Sequence, residues 1–228
     1  MFESSVELTP EQVEWLDQCI RIANPQYLKP AGSWQLNPTT GLVDVNMNFY
    51  CSNQGLSDFK GVRFGEVGGN FECRDNQLTS LEGAPQKVGW NFDCKGNGLT
   101  SLEGAPREVG GDFFCGRNEL TTLEGAPQKV GNTFWCDNNQ LTSLEGAPQK
   151  VGGGIFCYHN PVSKDTLGSI FGIMETGKSY LKAVESLWTE IPLEDQALLY
   201  RPEFKWVVGD ERRKLDALRA YQGFKGMI

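Results

Sequence analysis

Apolar positions through the middle of the chain return with a period far longer than that of a helix or a strand. In NFECRDNQLTSLEGAPQKVGW, starting at residue 70, Phe71 and Cys73 alternate with the residues around them, Leu78 and Leu81 follow, and Val88 ends the apolar set. The same order returns in NFDCKGNGLTSLEGAPREVGG from 91, DFFCGRNELTTLEGAPQKVGN from 112 and TFWCDNNQLTSLEGAPQKVGG from 133. A degenerate first unit, NFYCSNQGLSDFKGVRFGEVGG, starts at 48 and carries one inserted residue, and a partial last unit, GIFCYHNPVS, starts at 154. Alternation within F-x-C predicts a short strand in each unit, six in all. Phe and Cys then share one side of a parallel sheet, and each coil stacks its own kind on the next.

Strands about 4.8 Å apart would make this sheet roughly 24 Å across. Asn76, Asn97, Asn118, Asn139 and Asn160 recur where the chain turns out of each strand, where an asparagine side chain can satisfy backbone groups left unpaired by the bend. The leucines bring the chain back over the core. Gly and Pro in E-G-A-P, at 82, 103, 124 and 145, weaken any helix there, so the return path is expected to be extended or a short turn of 3₁₀ helix.

The pattern F-x-C-x-x-N-x-L-T-S-L-E-G-A-P-x-x-V-G resembles a leucine-rich repeat with Phe and Cys in place of leucines. It is similar to the short-repeat members found in bacterial effectors and tailed bacteriophages. That resemblance covers about residues 42 to 162. It implies an α/β fold, a solenoid with one parallel β-sheet on its concave face, and a function in protein binding.

A solenoid needs caps at its ends. TPEQVEWLDQCIRI, residues 9 to 22, reads as a helix with Thr9 as N-cap, Pro10 at the first position and Gln12 closing a capping box. Val13, Leu16 and Ile20 are spaced along one face. A loop rich in Pro, Gly and Asn, from 24 to 41, leads to Val45, Phe49 and Cys51, which match the V, F and C positions of the first coil. Beyond Pro161, Leu167, Ile170, Phe171 and Met174 have helical spacing, as do Leu181, Val184 and Trp188, and Leu215, Leu218 and Tyr221. The predicted organisation is a capping segment over 1–41, a solenoid over 42–162 and an α-helical C-terminal region over 163–228.

Charge and cysteine usage narrow the class. A net charge of -8 and a pI near 4.8 leave no basic patch for nucleic acid. No apolar run reaches the roughly 18 residues of a membrane span, and MFESSVELTPEQ lacks the order of a signal peptide. The expected location is the cytoplasm, or the host cytoplasm for a phage-encoded protein. Seven cysteines would suggest disulfides in a secreted chain. Six of them, Cys51, Cys73, Cys94, Cys115, Cys136 and Cys157, are 22, 21, 21, 21 and 21 residues apart, a spacing the repeat explains. They read as reduced, buried, small apolar residues.

Candidate chemistry is sparse. GIMETGKS, 172 to 179, satisfies G-x-x-x-x-G-K-[ST], with Gly172, Gly177, Lys178 and Ser179 in the places of a phosphate-binding loop. Such a loop needs a βαβ sheet, and the helical pattern after 163 offers none; the alternative is a helix stop at Gly177 and a new start near Ser179. His159 is the sole histidine, which leaves little for a catalytic triad. Cys136, Cys157 and His159 lack a zinc-site spacing. The absence of any cysteine after Cys157 removes the ubiquitin-ligase chemistry of some bacterial repeat effectors. The column Glu82, Glu103, Glu124 and Glu145 reads as a solvated edge offset by Lys87, Lys129 and Lys150. No cofactor or metal is expected.

The outward columns are where the repeats differ. Tyr50, Glu72, Asp93, Phe114, Trp135 and Phe156 sit between Phe and Cys, and Ser52, Arg74, Lys95, Gly116, Asp137 and Tyr158 follow Cys. The first half of this face is charged and the second aromatic, and clustered outward aromatics mark binding sites unless the C-terminal region covers them. The expected function is non-enzymatic recognition of a protein partner through Tyr50, Glu72, Arg74, Asp93, Lys95, Phe114, Trp135, Asp137, Phe156 and Tyr158. A phage-encoded inhibitor of a host protein is the specific form the resemblance suggests. A nucleotide-binding enzyme and a structural component of a virion or homo-oligomer are the competing classes.

Overall fold

The computed structural model describes residues 7–26, 32–157 and 159–161. The predicted helical region after 163, with the GIMETGKS motif, lies outside these residues, as does Tyr158. Helix α1 (Pro10–Ala23) leads into β1 (Trp34–Leu36), β2 (Leu42–Val45) and β3 (Phe49–Tyr50). The coils then alternate two kinds of strand: β4 (Arg63–Val67), β5 (Phe71–Glu72), β6 (Lys87–Val88), β7 (Phe92–Asp93), β8 (Glu108–Val109), β9 (Phe113–Phe114), β10 (Lys129–Val130), β11 (Phe134–Trp135), β12 (Lys150–Val151) and β13 (Ile155–Phe156).

The result is a parallel β-solenoid with two sheets where the resemblance implied one. A 6-stranded sheet joins β3, β5, β7, β9, β11 and β13, and a 7-stranded sheet joins β1, β2, β4, β6, β8, β10 and β12. The return path expected to be merely extended or 3₁₀ is itself a strand at each Lys-Val or Glu-Val. Its valine points inward and its charged neighbour outward, and identical coils bring these short segments into register, Val67 with Val88, Val88 with Val109 and so on. Strands of two residues suffice because the backbone ladder runs past their ends: Phe71 N donates to Asn91 O at 2.9 Å and Cys73 N to Asp93 O at 2.8 Å.

A tight corner joins the two sheets. A Cβ at Gly89, Gly110, Gly131 or Gly152 would run into the carbonyl of the corresponding glycine one coil earlier, so this column has no room for a side chain. The Lys87 ammonium pairs with Glu66 at 3.9 Å across the outer face of the valine sheet. Glu82, Glu103, Glu124 and Glu145 instead make a local backbone bond, their N–H donating to the hydroxyl of Ser80, Ser101, Thr122 or Ser143.

Inside, Phe49, Phe71, Phe92, Phe113 and Phe134 stack in sequence, with centroids 5.1 to 5.6 Å apart and planes within 15° of parallel. The cysteine column and both leucine columns are buried beside them. Phe59 and Phe64 enlarge the core of the first coil, and Trp15 of α1 meets Phe49 edge-on at 5.5 Å.

The capping box is present, Thr9 N donating to Gln12 Oε1 and Gln12 N to Thr9 Oγ1. The buried face of α1 is Trp15, Leu16, Cys19, Ile20 and Ala23; Val13, expected inside, is half-buried at its margin. The segment expected as loop contains β1, which pairs antiparallel with β2 and is anchored by Trp34 Nε1 donating to Asp17 at 2.9 Å.

Candidate functional site

Each strand of the phenylalanine sheet offers one outward side chain, and parallel pairing in register fixes their order: Tyr50 beside Glu72, Glu72 beside Asp93, Asp93 beside Phe114, Phe114 beside Trp135 and Trp135 beside Phe156. The expected face is therefore continuous, with its charged and aromatic halves adjoining between Asp93 and Phe114.

The aromatic half is a stack. Trp135 and Phe156 lie 4.1 Å apart at 11°, and Phe114 and Trp135 are 6.1 Å apart at 17°. The Trp135 and Phe156 rings are closely stacked and those of Phe114 and Trp135 parallel but offset, so the three side chains form one row along the solenoid. Gly116 is the small residue beside Phe114, and the Asp137 carboxylate folds over it: a Cβ there would come within 2.6 Å of Asp137 Oδ1.

In the charged half, the Arg74 guanidinium spans two carboxylates, 4.0 Å from Glu72 and 3.8 Å from Asp93. Asp93 also accepts from Lys95 N at 3.0 Å, and Asn70 Nδ2 donates to Tyr50 Oη at 3.4 Å. Burial pushes both carboxyls above their ordinary range, and Arg74 only partly opposes it.

Beneath the face lie two hydrogen-bonded ladders. In the first, as its position suggested, the asparagines satisfy the bend, and they also bridge coils. Asn118 Nδ2 donates to Cys94 O and Cys115 O, and its Oδ1 accepts from Asn97 N and Leu99 N, all between 3.0 and 3.2 Å. The second escaped the sequence reading: Asn48, Asn70, Asn91 and Asp112, one residue before Phe49, Phe71, Phe92 and Phe113, accept from the backbone N–H of the equivalent residue one coil on. Its signal was present in the repeated Asn, Asn, Asn, Asp at that place. Trp90, 66% exposed at the corner between the sheets, was also overlooked; other coils carry Gly or Asn there.

The thiols are buried. Burial raises Cys19 to about 11 and the titrations of Cys51, Cys73, Cys94, Cys115 and Cys136 well above the ordinary thiol value. Cys94 and Cys115 donate their S–H to Phe114 O and Trp135 O, each at 3.3 Å. Protonated, enclosed thiols are poor nucleophiles and poor ligands. Among the described residues, no group of three or more His, Cys, Asp and Glu side chains is placed to hold a metal ion, and no helix is long and apolar enough to cross a membrane. No family model, curated protein or solved structure matches the chain.

Proposed function

We propose that the chain is a non-enzymatic binding protein of the leucine-rich-repeat kind, holding a protein partner on the outward face of its phenylalanine sheet. The observation that carries this reading is a contrast between two sides of the same strands. Inward columns repeat Phe and Cys almost without change, whereas outward ones run from Tyr50, Glu72 and Asp93 to the stack of Phe114, Trp135 and Phe156. Packing accounts for the first side. The second spends its largest side chains where the core gains least from them, and stacked rings supply rigid contact area at low entropic cost.

A row of parallel, partly offset rings suits a protein surface that brings aliphatic or aromatic groups to it. The specific form we favour is an inhibitor of a host protein, encoded by a phage and acting in the host cytoplasm; the similarity of the repeat and the acidic charge support it. Affinity capture from a bacterial lysate with the full chain and with Trp135→Ala tests the proposal. A partner retained by the wild type and lost with the folded variant is the expected result, and equal capture by both would remove the aromatic row from the site.

A further inference from the structure

Among the five asparagines of the bridging ladder, the residue that follows is Gln77, Gly98, Glu119, Gln140 and Pro161 in turn, so one rung is an Asn-Gly step, the single one in the chain. Asparagine before glycine is the step at which a backbone nitrogen most readily reaches the side-chain carbonyl, because glycine has no Cβ to obstruct the approach. We propose that Asn97 is a spontaneous deamidation site, held intact by the fold and converted when its coil opens.

The chemistry is closed by water alone. Gly98 N attacks Asn97 Cγ, ammonia leaves, and a five-membered succinimide forms. Water then opens the ring to aspartate or to isoaspartate, whose backbone carries one extra carbon. Amide and water become acid and ammonia, with no oxidant or enzyme involved.

The native structure blocks the first step twice. Gly98 N donates to Leu78 O at 2.9 Å on the preceding coil, which directs the nucleophile away from its own side chain. The Asn97 carboxamide is pinned as well: Nδ2 donates to Cys73 O at 3.1 Å and Cys94 O at 2.9 Å, and Oδ1 accepts from Leu78 N at 3.1 Å. Attack requires all of these to release together, which is an opening of two neighbouring coils rather than a side-chain rotation.

Conversion is one-way in its consequences. A carboxylate at 97 has no N–H to give to Cys73 O and Cys94 O, and it sets a negative charge against two carbonyl oxygens. These carbonyls follow Glu72 and Asp93 directly in sequence, so the damaged rung underlies the charged half of the outward face. Opening long enough to deamidate therefore prevents the same coil from closing as before.

Incubation of the full chain at mildly alkaline pH, in native buffer and in urea, followed by peptide mass mapping, tests this. In urea, Asn97 should convert ahead of every other asparagine, and Gly98→Ala should remove that lead. In native buffer the conversion should be suppressed. Equal rates in the two conditions, or another asparagine converting first in urea, would overturn the proposal. The urea midpoint of Asn97→Asp should fall well below that of Asn53→Asp, which lies on an exposed turn. Equal midpoints would refute the claim that this rung is what the conversion breaks.

Discussion

At the scale of single residues, the backbone turn after each strand limits what one outward column accepts. The second residue after each cysteine, Asn53, Asp75, Gly96, Arg117, Asn138 and His159, has φ between 53° and 68°, so every coil makes the same left-handed turn. Asn, Asp and Gly tolerate it, and Arg117 occupies it at a cost. Asp93 shows a different compromise. Its carboxyl is largely enclosed, and burial raises its pKa above that of an unfolded aspartate. The folded state thus holds the proton more tightly than the unfolded one, and the stability linked to this group is complete below the unfolded pKa and declines as pH rises through the folded one. Asp93→Asn keeps an oxygen for Lys95 N and removes the titration. Urea unfolding of wild type and variant from neutral pH down to about 4 should show the difference moving in the wild type's favour as the pH falls. A difference that stays flat or moves the other way would mean that Arg74 compensates the charge fully.

Among the elements, the ladders do more than the strands. A two-residue strand contributes few bonds of its own, so the coil depends on side chains that reach across to its neighbours. Asn118→Ala would leave the Asn97 and Leu99 amides without their acceptor and take one of two donors from the Cys94 and Cys115 carbonyls, which keep Asn97 and Asn139. At about 1–3 kcal/mol for each buried group left unsatisfied, with partial relaxation, a loss of about 2 kcal/mol or more is expected. Thr121→Ala, on an exposed turn of the same coil, should stay within about 0.5 kcal/mol. Chemical denaturation of both variants checks this, and comparable losses would show that the ladder is not special. The F-x-C strands and the asparagine turns were legible in sequence because their residue types repeat and differ from their surroundings. The valine strands were not: Lys-Val lies between Pro and Gly and is too short for alternation to register, and it becomes a strand only when the next coil supplies its partner. Trp15 and Cys19 were missed for a related reason, since the buried face of α1 is chosen by the first coil and not by the helix pattern alone. At the candidate site, the order of outward residues followed from the repeat, whereas the ring stacking and the bridging position of Arg74 depend on rotamers that sequence does not specify.

For the whole molecule, the near identity of the four central units means that each coil presents to the next almost the same surface it receives. Stability should then be close to a sum of coil and interface contributions. A duplicate of residues 91–111 placed after Gly111 would find Phe, Cys, Leu, Val and both asparagine positions already matched on either side, and its Gly110 equivalent would meet the tight corner without a clash. The lengthened chain should unfold in one transition with a larger dependence on urea, because more surface is exposed when it opens. Separate transitions for the two ends would show instead that coil contacts are too weak to couple. The same insertion moves Glu72 and Arg74 one strand spacing, about 4.8 Å, away from the aromatic half, sets a copy of Asp93 and Lys95 beside Phe114, and leaves Phe114, Trp135 and Phe156 together. A partner held by the aromatic row alone should still be captured by the lengthened chain. Loss of capture with cooperative folding intact would show that Arg74 and Glu72 are read at a fixed distance from the rings.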